Sequence, residues 1–273
     1  MNDRALLLRM AVVSTILFGF YLALVQVALW LGLGWAPIVV GLVLFVTVQY
    51  VIGTRGVLHQ IAAADIPEED FAAFVEEYER TAESMGFEEP PRLMVAWLGV
   101  PNALAVGRKG NGTVILSAEL IYLLDFDEAA AVAAHELAHL KNRDSIFMVI
   151  GESLSTLIGL AVILVIGISD NPLVNLFALV LGMISKLFTM LFVLALSRYR
   201  EYAADRDAAA AMGSGDPLAR ALRKIEVSTD PSRAAVPENV NALCFSPISK
   251  GLLTGLLSTH PPTERRIERL QLL

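Results

Sequence analysis

The sequence predicts a mainly α integral membrane protein: four transmembrane helices in two hairpins, joined to a soluble α+β domain with a small β-sheet. Three observations carry this reading. Hydrophobic residues make up 55% of the 273-residue chain and the mean hydropathy is +0.59, too apolar for a wholly soluble protein. Two regions are long enough to hold pairs of helices of roughly 20 apolar residues, the length that crosses a bilayer. The charged residues gather outside those regions, in stretches that read as amphipathic helices and short strands.

The first apolar region has no charged residue between Arg9 and Arg55 and is broken only at WLGLGWAP. It reads as two spans, about Met10 to Leu29 and about Ala36 to Ile52. Trp30 and Trp35 stand at the turn between them, where indole rings favour the headgroup layer. Arg4 and Arg9 ahead of an apolar run resemble a secretory signal. No small-residue cleavage site follows and a second span comes at once, so a retained anchor is expected. The second region, Ile146 to Leu196, is split by SDNP at Ser169 to Pro172 and reads as two more spans.

Of the 21 Lys and Arg, only Lys186 lies inside a span; the rest fall in the N-terminal tail, in Gly53 to Ser145, or from Arg198 onward. By the positive-inside rule both termini and the central segment are cytoplasmic, in a multi-pass protein of the cell membrane. The expected organisation is a cytoplasmic tail over 1–9, a helical hairpin over 10–52, a cytoplasmic segment over 53–145, a second hairpin over 146–196 and a cytoplasmic helical segment over 197–273. A net charge of -7 without any basic run excludes a nucleic-acid partner. The single cysteine, Cys244, excludes an intrachain disulfide and reads as a small buried residue.

Within the soluble segments, a helix is expected from Asp65 or Ile66-Pro67, with Phe71, Phe74, Val75 and Tyr78 as its apolar stripe and Gly86 at its end. RLMVAWL reads as a strand, and NALAVG-RKGNG-TVILS as a hairpin, giving a sheet of about three strands. A short helix near Ala118 to Leu124 and a longer one from Asp125 or Asp127 follow. Beyond the last span SRYREYAADRDAAAAMG is helical up to Gly213, and further helices are expected over Pro217 to Val227 and Pro262 to Leu273. Ser228 to Lys250 is loop-rich, placed to act as a lid.

The chemistry centres on AVAAHELAHLKNRD, Ala131 to Asp144. Residues four apart share a helix face, so His135 and His139 can offer two imidazole nitrogens to one ion. Glu136, offset by one residue, sits beside that ion as a general base able to move a proton from water to a leaving amine. A catalytic zinc needs a third protein ligand and one open position. Cys244 and the remaining histidines are open to that role, but Glu201 in REYAAD is the best candidate, because two intervening spans return it to the same membrane face. Asp205, four residues on, can then accept a hydrogen bond from a ligand imidazole.

These residues resemble the M48 family of membrane zinc metalloproteases, most closely its HtpX-type members and so the related Ste24 proteins. The resemblance rests on HELAH, SRYREYAAD, a late THPPTERRI and the two pairs of spans, and so covers most of the chain. It implies a zincin-like catalytic domain with one Zn2+ per chain, held by His135, His139 and Glu201, with Glu136 as the base. It also implies a polypeptide substrate, typically a damaged membrane protein cleaved at the cytoplasmic face in quality control. PNALAVG resembles the family's edge-strand motif, with Asn102 holding substrate backbone; Leu104 replaces a common aromatic there, with little expected consequence. His260 either donates to the developing oxyanion, as the resemblance implies, or caps the last helix. Arg265 pairs with Asp205 or with a substrate carboxylate.

Glu152 and Lys186 interrupt the third and fourth spans, and a register-fixing ion pair is the favoured reading for them. Two other functions compete. An intramembrane protease would bury its histidine pair within a span, yet charged residues flank HELAH on both sides. A silent scaffold has no need of Glu136, and a zinc transporter would carry His or Asp pairs within its spans, which this chain lacks.

Overall fold

The computed structural model describes residues 3–30, 32, 34–167, 170–229 and 260–273; Cys244, most of the expected Ser228 to Lys250 loop and Ser169 lie outside them. The chain divides into two compact units, Met1–Ile52 with Phe147–Tyr199, and Gly53–Ile146 with Arg200–Leu273.

The first unit is helical. It contains α1 (Asp3–Trp30), most of α2 (Trp35–Gln60), most of α6 (Asp144–Gly167) and the N-terminal part of α7 (Pro172–Met212). Among the described residues, three helices are long and apolar enough to cross a membrane: α2 over Trp35–Ile52, α6 over Asp144–Ile163, and α7. The span expected over Met10 to Leu29 falls in α1, 28 residues long. The last expected span and the helix carrying Glu201 are one continuous 41-residue helix; neither Gly nor Pro interrupts the chain from Leu196 to Arg198, and Ser197 between them lies within the helix. Small residues bring α6 and α7 close together. A Cβ on Gly159 would lie 3.0 Å from the carbonyl oxygen of Gly182, and one on Gly182 would lie 2.7 Å from that of Gly159. The ion pair expected between Glu152 and Lys186 is not found among the described residues; both side chains are exposed within this unit.

The second unit is α+β. Its sheet has four strands, β1 (Ala64–Asp65), β2 (Arg92–Ala96), β3 (Ala103–Arg108) and β4 (Asn111–Ser117), in the order β1-β2-β4-β3. β3 and β4 form the expected antiparallel hairpin, Ala103 opposite Leu116 and Arg108 opposite Asn111. β2 joins the other side of β4 in parallel, which leaves β3 as an edge strand. Side chains alternate across the sheet: Ala103, Ala105, Val114 and Leu116 enter the main core, while Leu104, Val106 and Ile115 pack on the opposite face with Met94 and Leu98. RLMVAWL ends as a strand at Ala96, where Glu119 accepts the backbone N–H groups of Leu98 and Gly99 and bends the chain away.

Around the sheet lie α3 (Glu68–Ser84), α4 (Ala118–Leu123), α5 (Phe126–Lys141), α8 (Asp216–Ser228) and α9 (Thr263–Leu270). Gly86 and Gly213, at φ +85° and +75°, close α3 and α7 in the left-handed conformation that glycine takes without a Cβ penalty. α5 is the hub, packed on β3, β4, α3 and α8. Its six alanines between Ala129 and Ala138 are all buried, so neighbours approach on every side and only its two ends reach solvent. Its N-terminus is fastened by a capping box: Glu128 accepts the backbone N–H of Asp125 at 3.0 Å, while Lys224 of α8 donates to both carboxylates.

Gly182→Ala should force α6 and α7 apart and lower the unfolding temperature in detergent, at a cost of about 1–3 kcal/mol. Gly41→Ala, whose Cβ would meet nothing within 4 Å, should leave that temperature unchanged or higher.

Candidate metal centre

Three polar side chains meet inside the second unit. His135 and His139, one turn apart on α5, direct Nε2 atoms to within 3.0 Å of each other. Glu201 of α7 lies opposite, Oε2 3.5 Å from Nε2 of His135 and Oε1 3.5 Å from Nε2 of His139. The ring orientations show how this triangle could hold a metal ion. Nδ1 of His135 is 3.1 Å from Oδ1 of Asp205, and Nδ1 of His139 is 2.6 Å from Oδ2 of Asp144. The hydrogen bond of His139 Nδ1 to Asp144 and the closeness of His135 Nδ1 to Asp205 leave the two Nε2 atoms facing inward, where each can offer a lone pair. Two lone pairs and a carboxylate edge then face one point, an arrangement that repels itself unless a cation sits there.

The dimensions agree. Ligands at about 2.0–2.2 Å from a tetrahedral zinc would lie about 3.3–3.6 Å apart; the two distances to Glu201 are 3.5 Å each, and the histidine pair is slightly closer at 3.0 Å. The charges agree as well. Four buried carboxylates, Glu136, Asp144, Glu201 and Asp205, face two buried guanidinium groups, Arg200 and Arg266, which leaves two negative charges for a divalent cation to offset. The residues present therefore fit the metal. Among the described residues, His135, His139 and Glu201 form the one such cluster. His139, 18% exposed, is its most accessible member; His135 is fully enclosed.

Glu136 is 1% exposed, and its Oε1 has no hydrogen-bond partner among the described residues. Burial pushes its carboxyl above the usual glutamate range, with His139 and His135 pulling partly against that shift. An unsatisfied buried oxygen is expensive in a fold and useful in a base, because it is free to accept a proton.

The C-terminal helix closes the site. Arg266, 2% exposed, donates Nε and Nη2 to the two oxygens of Asp205 at 3.0 and 2.7 Å, and its Nη1 lies 3.2 Å from Oε2 of Glu201. Burial works against the Arg266 charge, but Asp205 and Glu201 outweigh it and hold the guanidinium above its ordinary range. The place expected for Arg265 thus belongs to its neighbour; Arg265 points to solvent, because α9 buries the face of Arg266, Ile267 and Leu270. His260 is buried with Nδ1 3.0 Å from Oε1 of Glu201, while the first turn of α9 is preceded by Pro262 without a side-chain cap. The capping alternative is therefore not what His260 does here. Asn102 is fully buried just ahead of edge strand β3; its Oδ1 accepts the N–H of Ala103, and its own N–H goes to Ser117. Asp144 and Arg266 are the contributors that the sequence reading missed. The Arg signal was present as a pair of adjacent arginines; Asp144 stands five residues beyond His139, outside the helix.

Comparison with known proteins covers the same part of the chain. Peptidase family M48 matches residues 68–273, which contain every residue of the site. A Protease HtpX homolog of Halobacterium salinarum is 41% identical over 96% of this chain and all of its own length. A Protease HtpX homolog of Pyrococcus abyssi is 36% identical over 71% of this chain and 70% of its own. Among solved structures, Ste24p of S. mikatae superposes with a TM-score of 0.56 at 17% identity, over 95% of this chain and 63% of that chain, a likeness of fold. With a family match across the whole site and a full-length relative of this similarity, the chain belongs to peptidase family M48 and is a membrane metalloprotease.

Proposed function

We propose that this metalloprotease is a zinc-dependent endopeptidase of the cell membrane, with four spans of which α1 is the first, and with both termini and the site cytoplasmic. Its substrates are unfolded or misassembled membrane polypeptides, removed in quality control. The observation that carries the proposal is the convergence of His135, His139 and Glu201 with the unpartnered Glu136 carboxylate on the same helix. Support for the orientation comes from the distribution of Lys and Arg, and for a polypeptide substrate from relatives named as proteases.

The ion supplies Lewis acidity toward water and the scissile carbonyl. The chain's own groups do the rest. A substrate strand adding to the edge of β3 would be held by backbone hydrogen bonds, which ignore side-chain identity and suit loose sequence preference. Asn102, at the start of that edge, fixes the backbone path on which such a strand would lie. Glu136 takes a proton from the attacking water and delivers it to the amine nitrogen as the C–N bond breaks. His260, beside Glu201, would stabilise negative charge developing on the carbonyl oxygen. Asp205 holds the His135 tautomer, and Arg266 holds Asp205.

Two outcomes are expected in purified protein. Glu136→Gln should cut cleavage of casein by about 100-fold or more while zinc content stays at that of the wild type; undiminished cleavage would remove Glu136 from the mechanism. Arg266→Met leaves Glu201 and Asp205 as buried carboxylates without their cation and should destabilise the fold by about 3–5 kcal/mol. Arg265→Met should shift the unfolding temperature little, and an equal loss in both variants would contradict the assignment of Arg266.

A further inference from the structure

Only Asn142 and Arg143 separate the end of α5 from the start of α6. Arg143 has φ of +56°, the one non-glycine residue in the left-handed region among the described residues. That conformation is disfavoured for L-residues, so something in the surroundings must hold it. Its effect is to fold Asp144 back against the last turn of α5, with Oδ2 2.6 Å from Nδ1 of His139. The other oxygen, Oδ1, forms an ion pair with Arg200, whose Nη2 also donates to the carbonyl oxygen of Asn142 at 2.6 Å. Asp144 is 7% exposed and Arg200 8%.

From this geometry we infer that Asp144 is a positioning residue of the metal centre, and that Arg200 holds it in place. The inference rests on the metal reading of His135, His139 and Glu201. His135 is enclosed on every side, so packing restrains its ring together with Asp205; His139 stands near the open end of α5 and has less packing to hold it. The Asp144 carboxylate fixes the His139 ring and its tautomer, and raises the basicity of the nitrogen left for the metal. Arg200 directly precedes the ligand Glu201 in α7. One turn of that helix thus supplies both a metal ligand and the counter-charge for the partner of another ligand. His139 and Glu201 are referenced to each other through protein as well as through the ion.

The alternative is that Asp144 and Arg200 only brace the α5–α6 turn. The two are separated by zinc affinity, measured on full-length protein in detergent by competition with a chelating indicator, beside thermal unfolding of the metal-free forms. Asp144→Asn alone leaves the Arg200 charge buried and unpaired, so the double variant Asp144→Asn with Arg200→Met is measured with it. Both variants should bind Zn2+ about 10- to 100-fold more weakly than wild type. The double variant should recover metal-free stability that the single variant loses. Arg143→Gly, which takes the same backbone conformation without strain, should keep wild-type affinity. A folded double variant that binds zinc within about threefold of wild type would overturn the inference and leave a brace. Failure of the wild type to bind zinc would overturn the metal reading itself, and this inference with it.

Discussion

The centre of the molecule is an electrostatic demand: two imidazole lone pairs and a carboxylate aimed at one buried point, 3.0 to 3.5 Å apart. That arrangement is unfavourable for a bare protein and favourable around a divalent cation, so the surroundings must hold it against its own repulsion. They do so by enclosure and by charge. α5 is built from alanine around its histidines, which lets β3, α3 and α8 close on it and leaves the ring of His135 no room to turn. Arg266 and Arg200 place positive charge behind the carboxylates that orient the two rings. The capping box and the α8 cations pin the far end of α5, so the helix that carries the motif is fixed at both ends.

The same demand explains how the site draws on distant parts of the chain. HELAH supplies two imidazoles and the Glu136 carboxylate, but one helix face cannot supply a third group opposite the histidines. α7 brings Glu201, and α9 brings the cation that compensates Glu201 and Asp205. Loss of any one of these elements leaves buried charge unpaired in the others, which costs more than the missing contact itself. The centre is therefore a cooperative unit: its ligands, their carboxylate partners and the arginines behind those carboxylates stand or fall together.

Features written in short-range spacing were legible in the sequence. The shared faces of His135 with His139 and of Glu201 with Asp205 follow from the i, i+4 geometry of a helix, and the apolar stretches follow from length and composition. Features set by tertiary packing were not. The parallel pairing of β2 with β4 joins strands that are not neighbours in sequence, and nothing local marks it. Of two adjacent arginines, Arg266 faces inward and Arg265 outward, a matter of how an eight-residue helix is rotated against Glu201 and Asp205. Asp144 reaches His139 only through the left-handed Arg143, a conformation no propensity would assign to arginine. The expected pairing of Glu152 with Lys186 followed from their chemistry alone, whereas the packing of α6 against α7 is governed by Gly159 and Gly182.

The central claim is that a zinc ion sits among His135, His139 and Glu201, and X-ray absorption at the zinc edge of the purified protein tests it most directly. One zinc per chain with only nitrogen and oxygen neighbours at about 2.0–2.2 Å, including the outer-shell signature of two imidazoles, is the predicted spectrum. A sulfur neighbour at about 2.3 Å would place Cys244 on the metal and contradict the assignment of Glu201.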